Sequence, residues 1–229
     1  MITRAGFIKT TLINYPGRVA SVIFLPGCNL CCPYCHNPEL VLNRADDLEE
    51  IDSILTHLEK RKNVVEGVCI SGGEPLIHSD LGNLIAEIRK MGYLIKLDTN
   101  GTFPDRILEL KPDYIAMDIK TSPEKYNLLT PAGGSSVSEK ILKSVEIIKN
   151  SGISHEFRTT LAPGIVDEDD IRKICNLIGG TELYVLAGYV PGHTLDKNFP
   201  DRPYSAARTE AMAQIVRDAG IPLKLRNID

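Results

Sequence analysis

The sequence predicts an α/β protein with parallel strands, in which six strand–helix units form a partial (β/α)6 TIM-type barrel. Short apolar runs alternate with amphipathic segments about six times along the 229 residues, which is the pattern of a parallel sheet with helical crossovers. Right-handed crossovers on one side curl such a sheet. Because a closed eight-unit barrel typically takes about 250 residues, we expect the barrel to be open.

Six apolar runs have the length and composition of buried strands. They are Val19–Leu25, Val65–Ser71, Leu94–Asp98, Tyr114–Asp118, Ser154–Leu161 and Leu183–Ala187. The length suits one well-buried domain, so residues 1–229 are expected to form a single domain with residues 1–18 as an N-terminal lead-in.

Five segments are expected to be helices because apolar residues recur in them at helical spacing. They are Leu48–Leu58, Ser79–Met91, Ser138–Asn150, a helix that starts at Asp167, and Ser205–Ala219. The acidic residues that follow Asp167 suit the positive end of a helix dipole. The stretch Leu129–Ser136 is the strongest loop candidate.

Composition and charge exclude several classes of function. The net charge of −4 gives no basic excess, so nucleic-acid binding is not expected. No apolar stretch reaches the roughly 18 residues of a membrane span, and no secretory signal follows Met1. We therefore expect a cytoplasmic protein whose partner is a small molecule or another protein.

Four of the six cysteines fall within eight residues: Cys28, Cys31, Cys32 and Cys35. Disulfides are rare in the cytosol, so a tight cluster in a cytosolic chain indicates metal or iron–sulfur ligation. The other two, Cys69 and Cys175, lie among apolar residues and are expected in the core.

The spacing of Cys28, Cys32 and Cys35 is C-x3-C-x2-C. Three thiolates can hold three corners of a cubane cluster and leave one iron open to a substrate. The alternative is structural zinc, with Cys31 or His36 as the fourth ligand. Structural zinc sites usually pair two knuckles across a longer span, and no second knuckle follows here.

The cysteine spacing, with the aromatic Tyr34 before the last cysteine, resembles the signature of the radical S-adenosylmethionine (radical SAM) superfamily. The longer string from Gly27 to Glu39, which includes Cys35-His36-Asn37, is similar to activating enzymes of glycyl radical enzymes. This resemblance implies a 4Fe–4S cluster on Cys28, Cys32 and Cys35, with S-adenosylmethionine as cosubstrate. It also implies that Tyr34 packs near the adenine, that Asn37 is a cofactor-binding residue, and that Cys31 is a spare thiol.

The segment Ser71-Gly72-Gly73-Glu74-Pro75 resembles the GGE motif of the superfamily. Glycines at positions 72 and 73 let the backbone approach a ligand closely. Glu74 is expected to accept a hydrogen bond from the methionine ammonium. Taken alone, the same residues also suit a plain turn.

Two carboxylates follow the next strands, Asp98 in Asp98-Thr99-Asn100-Gly101 and Asp118 in Asp118-Ile119-Lys120. The resemblance implies that they lie near a monovalent cation beside the methionine carboxylate, which Lys120 would face. Oxygen ligands suit such a hard cation. The alternative is a surface ion pair.

Arg158 lies within the fifth predicted strand, and His193 follows the sixth. A charged arginine is rarely buried without a partner, and an anionic ligand would provide one. The candidate residues all end or follow successive predicted strands. In a parallel barrel these ends form one face, where active sites are found.

The whole chain, including Asn14-Tyr15-Pro16-Gly17-Arg18, resembles the longer variant of anaerobic ribonucleoside-triphosphate reductase activating protein. The implied reaction is reductive cleavage of S-adenosylmethionine and formation of a glycyl radical on the partner enzyme, with electrons from a flavodoxin or ferredoxin. The alternatives are an activase of pyruvate formate-lyase or of another glycyl radical enzyme, a small-molecule radical SAM enzyme such as a deazapurine synthase, and a zinc-binding module.

Overall fold

The computed structural model describes residues 1–131 and 136–228, which form two compact units. The first unit comprises Met1–Asn29, Glu39–Thr99 and Asp105–Ile115, and the second comprises Leu30–Pro38, Asn100–Pro104 and Ala116–Asp229. Residues 132–135 of the predicted loop Leu129–Ser136 lie outside the described residues. The assignment of 1–229 to a single domain stays a prediction.

The first unit contains a sheet with the strand order β3-β1-β2-β4-β5. Its strands are β1 (Arg4–Thr11), β2 (Ala20–Leu25), β3 (Glu49–Glu50), β4 (Gly67–Gly72) and β5 (Leu94–Thr99). β2, β4 and β5 pair in parallel. β1 pairs antiparallel with both β2 and β3.

In the second unit, strands lie side by side in the order β6-β7-β8-β9. They are β6 (Tyr114–Asp118, which begins in the first unit), β7 (His155–Leu161), β8 (Tyr184–Gly188) and β9 (Leu223–Arg226). β8 pairs in parallel with both β7 and β9.

Helices connect these strands. They are α1 (Pro38–Val41), α2 (Ile51–Arg61), α3 (Leu81–Lys90), α4 (Pro104–Ile107), α5 (Ser136–Asn150), α6 (Glu168–Ile178) and α7 (Ala206–Asp218), with 3-10 helices at Pro75–Ile77 and Pro123–Leu129. No helix in the described ranges has the length and apolar character needed to cross a membrane.

The α/β class with mainly parallel strands is confirmed. The six predicted strands are β2 and β4 to β8, and the five predicted helices are α2, α3, α5, α6 and α7, with ends that differ by a few residues. Cys69 and Cys175 are core residues as expected, at 0% and 5% exposure. Burial raises the pKa of the Cys175 thiol to about 11.

Three strands were not predicted from the sequence: β1, β3 and β9. β1 lies inside the expected lead-in of residues 1–18, and Ala5 is its one fully buried residue, so its short apolar run does not have the length of a buried strand. β3 has two residues and β9 has four. These strands are specified by pairing with a neighbouring strand rather than by local composition.

Candidate functional site

Cys28 follows β2 in the first unit, and the turn after β4 holds the backbone that leads to it. The Gly73 amide donates to the Leu25 carbonyl at 2.9 Å, and the Glu74 amide donates to the Gly27 carbonyl at 2.9 Å. The turn that carries Gly73 and Glu74 therefore fixes the segment that presents Cys28.

The two glycines of this turn are required because the backbone of another segment of the same chain lies against them. A Cβ on Gly73 would lie 2.0 Å from the Gly27 oxygen and 3.2 Å from the Cys28 Cβ. Gly72 has φ +129°, and a Cβ there would lie 2.2 Å from the Leu25 oxygen. These glycines were expected to admit a ligand, whereas the close approach in the structure is to the segment before Cys28.

Glu74 is fully buried, at 0% exposure. It caps the 3-10 helix Pro75–Ile77, and its Oε1 accepts from the Leu76 amide at 3.0 Å and from the Thr99 hydroxyl at 2.9 Å. These donors orient the carboxylate by linking the end of β4 to the end of β5.

Asp98, near the end of β5, pairs with Lys96 from the same strand. Lys96 is 1% exposed and Asp98 is 9% exposed. Lys96 was not among the residues predicted from the sequence. A signal for it existed, since a lysine two residues before Asp98 in an apolar strand must share the face of that carboxylate.

In the second unit, hydrogen bonds at several points hold the segment Cys31–Cys35. The Cys31 amide donates to the Leu129 carbonyl at 2.7 Å, and the carbonyl of Cys35 accepts from the Leu195 amide at 3.1 Å. Cys32 is 8% exposed, while Cys35 is partly exposed and Cys31 is exposed. The role of Cys31 as a spare thiol stays a prediction.

The side chain of Tyr34 is buried beside this segment. Its ring centroid lies 5.9 Å from that of Phe199, and Phe199 packs edge-on against Tyr189 at 5.3 Å. His36 stacks on Tyr189 at 5.7 Å. Burial, followed by the charge of Cys32, raises the pKa of the Tyr34 phenol well above its ordinary value.

Asp118, at the end of β6, lies between two cations. Arg158 Nε donates to Asp118 Oδ1 at 2.7 Å, and Lys120 Nζ donates to Asp118 Oδ2 at 3.0 Å. Burial would raise the pKa of Asp118, but the charges of Arg158 and Lys120 outweigh burial and hold it well below its ordinary value. The carboxylate is therefore ionised.

Lys120 also interacts electrostatically with the cysteine segment. Burial would lower the pKa of its ammonium, but the charges of Asp118 and Cys32 raise it above the ordinary lysine value. These neighbours favour the charged form of Lys120, which lies in the same unit as Cys32.

A second carboxylate extends this network. Glu156, at 1% exposure, lies 3.7 Å from Arg158 Nη1 and 3.4 Å from Arg226 Nη2. Three cations, on Lys120, Arg158 and Arg226, thus accompany the carboxylates of Asp118 and Glu156. Buried and half-buried charges of both signs are therefore concentrated at the ends of β6 and β7.

Two other predicted site residues lie at the surface. Asn37 and His193 are exposed in the second unit. In the part of the chain that the structure describes, no three His, Cys, Asp or Glu side chains are grouped as ligands of one metal ion. The roles of Asn37, His193 and the three cysteine ligands stay predictions.

The motif Asn14-Tyr15-Pro16-Gly17-Arg18 packs at the beginning of β4. Tyr15 is 4% exposed, and a Cβ on Gly67 would lie 2.8 Å from its ring. Arg18 pairs with Glu66 at 2.8 Å. Burial raises the pKa of Tyr15 to about 12. The packing of Tyr15 and the ion pair of Arg18 thus give the motif a structural role within the first unit.

Comparison with known protein families shows the class to which this chain belongs. The family model of the radical SAM superfamily matches residues 22–178. The chain therefore belongs to the radical SAM superfamily. The cofactors of this superfamily, and of this chain, are a 4Fe–4S cluster and S-adenosylmethionine.

Relatives within this superfamily match most of the chain. A Methanocaldococcus jannaschii protein named for glycyl-radical enzyme activation is 35% identical over 87% of this chain and 85% of that protein. The pyruvate formate-lyase-activating enzyme of Clostridium pasteurianum is 30% identical over 82% and 80%, respectively. A radical SAM methyltransferase from Sphaerobacter thermophilus has a TM-score of 0.71 at 17% identity, over 95% of this chain and 68% of that one, which shows a common fold.

Two features of the described residues fit S-adenosylmethionine. The Tyr34 hydroxyl is buried and has no hydrogen-bond partner among the described residues. A buried polar atom left this way is costly, and a polar ligand such as a nucleoside removes the cost. Lys120 and Arg158, which flank Asp118, are cations of the kind that a ligand carboxylate needs.

Proposed function

We propose that this enzyme generates a glycyl radical on a partner protein, and that the partner is anaerobic ribonucleoside-triphosphate reductase. The support for activase function is the likeness, along most of both chains, to proteins named for glycyl-radical enzyme activation. The support for the reductase as partner is the resemblance of the whole chain, with its Asn14–Arg18 motif, to the longer variant of the reductase activating proteins.

The cluster would be held by the thiolates of Cys28, Cys32 and Cys35. When bound, the cluster and S-adenosylmethionine together supply the electron transfer and the radical that removes a hydrogen atom from the glycine Cα. The turn at Gly72 and Gly73 presents Cys28, and the bond from the Cys31 amide to Leu129 steadies the segment of Cys32 and Cys35.

The chain's own residues would bind and orient the cosubstrate. The observation that carries this assignment is the carboxylate of Asp118 held between Lys120 and Arg158. The cations of Lys120 and Arg158, both held at Asp118, would attract the methionine carboxylate, which Lys120 would face. A cation bound to a fixed, ionised partner needs no reorganisation when the ligand arrives.

The remaining contacts would fix the other parts of the ligand. Glu74 would accept from the methionine ammonium, and Tyr34 would pack near the adenine with its hydroxyl toward a polar atom. Asn37, Asp98 and His193 are further candidates at the same ligand. The expected monovalent cation would have to compete with protein cations, since Asp98 and Asp118 each already pair with a lysine.

The protein partner would offer a backbone glycine on a loop. Electrons would come from a flavodoxin or ferredoxin, and the reaction would take place in the cytoplasm without nucleic acid. An activase of pyruvate formate-lyase is the second candidate, favoured by the 30% identity to such an enzyme.

The test is anaerobic incubation of the reconstituted protein with S-adenosylmethionine, a reductant and either the reductase or pyruvate formate-lyase of the same organism. The proposal predicts a glycyl signal in electron paramagnetic resonance with the reductase, and no signal when its radical glycine is replaced by alanine. A signal with the lyase alone would support the second candidate. No signal with either enzyme, from protein that cleaves S-adenosylmethionine, would contradict the activase function.

A further inference from the structure

Lys96 is a charged side chain at the centre of the buried strand β5. Its residue is 1% exposed, and it is among the largest fully buried side chains. Lysine is almost never buried to this degree without a partner, because removing an ammonium from water is costly. The contacts of Lys96 therefore indicate what its burial is for.

The ammonium of Lys96 contacts the carboxylate of Asp98. It also lies 3.9 Å from Cys69 Sγ and 5.9 Å from the centroid of the Tyr114 ring. Cys69 is the β4 neighbour of Lys96 in the sheet register. Of these three contacts, Asp98 is the one that carries a full negative charge, so the ammonium is directed to that carboxylate.

Stability alone does not explain this ion pair. Replacing a buried pair by apolar residues is often neutral or stabilising, and β5 is otherwise rich in apolar residues. Asp98 is followed by Thr99, whose hydroxyl donates to Glu74 at 2.9 Å. Lys96 thus stands at the start of a run of polar groups that leads to the turn presenting Cys28.

We propose that Lys96 is a positioning residue that serves as the built-in monovalent cation of Asp98. It takes the place of the dissolved cation that the family resemblance implies beside this carboxylate. This inference rests on the proposed role of Asp98 in S-adenosylmethionine binding. The side chain delivers one positive charge at a fixed distance from the carboxylate, whatever the salt. Binding of S-adenosylmethionine is therefore independent of potassium and sodium.

The first test compares wild-type protein with Lys96→Met, both carrying the cluster, by titration calorimetry with S-adenosylmethionine. Each is measured in potassium chloride and in choline chloride at equal ionic strength. The wild type should bind equally in both salts. Lys96→Met should bind about tenfold more weakly in choline, as expected for loss of a charged partner, and should regain affinity in potassium.

The second test uses the protein without its cluster and measures the thermal midpoint. Potassium should raise the midpoint of Lys96→Met by about 2–4 °C over choline, the shift that a modest gain in stability gives at this chain length. The wild type and the double variant Lys96→Met/Asp98→Asn should show no such difference. Lys90→Met, which removes an exposed lysine with 71% side-chain exposure, is the control for loss of one positive charge.

Three results would overturn the proposal: wild-type binding that requires potassium, Lys96→Met binding equal to wild type in choline, or a loss of affinity that no small cation restores. If Lys96→Met does not fold, Asp98→Asn decides, since binding by that variant at wild-type affinity would also overturn it. No partner enzyme takes part, so failure to activate a reductase would count against the proposed function and not against Lys96.

Discussion

Arg158 on β7 reaches the carboxylate of Asp118 on β6, with its Nε 2.7 Å from Asp118 Oδ1. The bond joins two strands of the second unit at the group of charges that also contains Lys120. Arg158 Nη1 also lies 3.7 Å from Glu156 Oε1, so one guanidinium is shared by two carboxylates.

Replacing Arg158 by methionine should weaken S-adenosylmethionine binding. A hydrogen bond to a charged group is worth about 1.5–3 kcal/mol, so we expect the dissociation constant to rise roughly ten- to hundredfold, measured by titration calorimetry on cluster-loaded protein. Arg208→Met is the matched control, because Arg208 pairs with Glu168 at 2.8 Å and is not among the proposed ligand contacts. Equal affinities for Arg158→Met and wild type would refute the role of Arg158.

The cysteines of the motif should differ in their effect on iron. Serine at Cys28, Cys32 or Cys35 removes one of three thiolates, so anaerobic reconstitution should fall well short of the about four iron atoms of a cubane. Serine at the exposed Cys31 should leave the iron content unchanged. Iron analysis with absorption spectra measures both. Normal iron in any of the first three variants would remove that cysteine from the ligand set.

Alanine at Gly73 should destabilise the protein. Its Cβ would lie 2.0 Å from the Gly27 oxygen, and forcing an extra carbon into a packed site costs about 1–3 kcal/mol. Gly82→Ala is the control, since Gly82 lies in α3 with 3.8 Å of space to Leu110 and alanine there should stabilise by about 0.5–1 kcal/mol. Urea unfolding gives both values. A Gly73→Ala protein as stable as wild type would show that the turn is not packed as described.

Stability should depend on Asp167 in a pH-dependent way. Burial would raise the pKa of Asp167, but hydrogen bonds from Lys125 and the Asp170 amide lower it from 3.8 to about 2. A lowered pKa in the folded state stabilises the fold above the unfolded value, and this stabilisation is lost as the pH falls toward the folded value.

The variant Asp167→Asn removes the charge and keeps a good helix cap. It should lower the free energy of unfolding at neutral pH, and its difference from wild type should shrink as the pH approaches about 2. Denaturant unfolding across this pH range measures the difference. Asp169→Asn, with 81% side-chain exposure in the parent residue, should have little effect. A difference for Asp167→Asn that stays constant with pH would contradict the assigned pKa.

Local patterns were enough to predict much of this molecule. The strands β2 and β4 to β8 are short apolar runs, and the cysteine spacing lies within one segment, so both are visible in the sequence. Asp118 and Lys120 were both predicted as site residues, and they pair at 3.0 Å.

Contacts between distant segments could not be predicted in this way. The packing of Tyr34 against Phe199, and of His36 against Tyr189, joins residues far apart in the chain. The close approach of Gly73 to Gly27 depends on how two turns meet, so the reason for that glycine emerged from the structure alone. Glu156 was missed because the alternation of residues along a strand indicates the face on which a side chain lies. It does not indicate which cations pair with a buried carboxylate.

The most direct test of the account is the electron paramagnetic resonance spectrum of the anaerobically reconstituted and reduced protein, recorded before and after addition of S-adenosylmethionine. The account predicts the signal of a reduced 4Fe–4S cluster that changes when the cosubstrate binds, and a weaker change at equal concentration in Arg158→Met. Protein that holds zinc in place of iron, or a cluster signal that S-adenosylmethionine leaves unaltered, would contradict it.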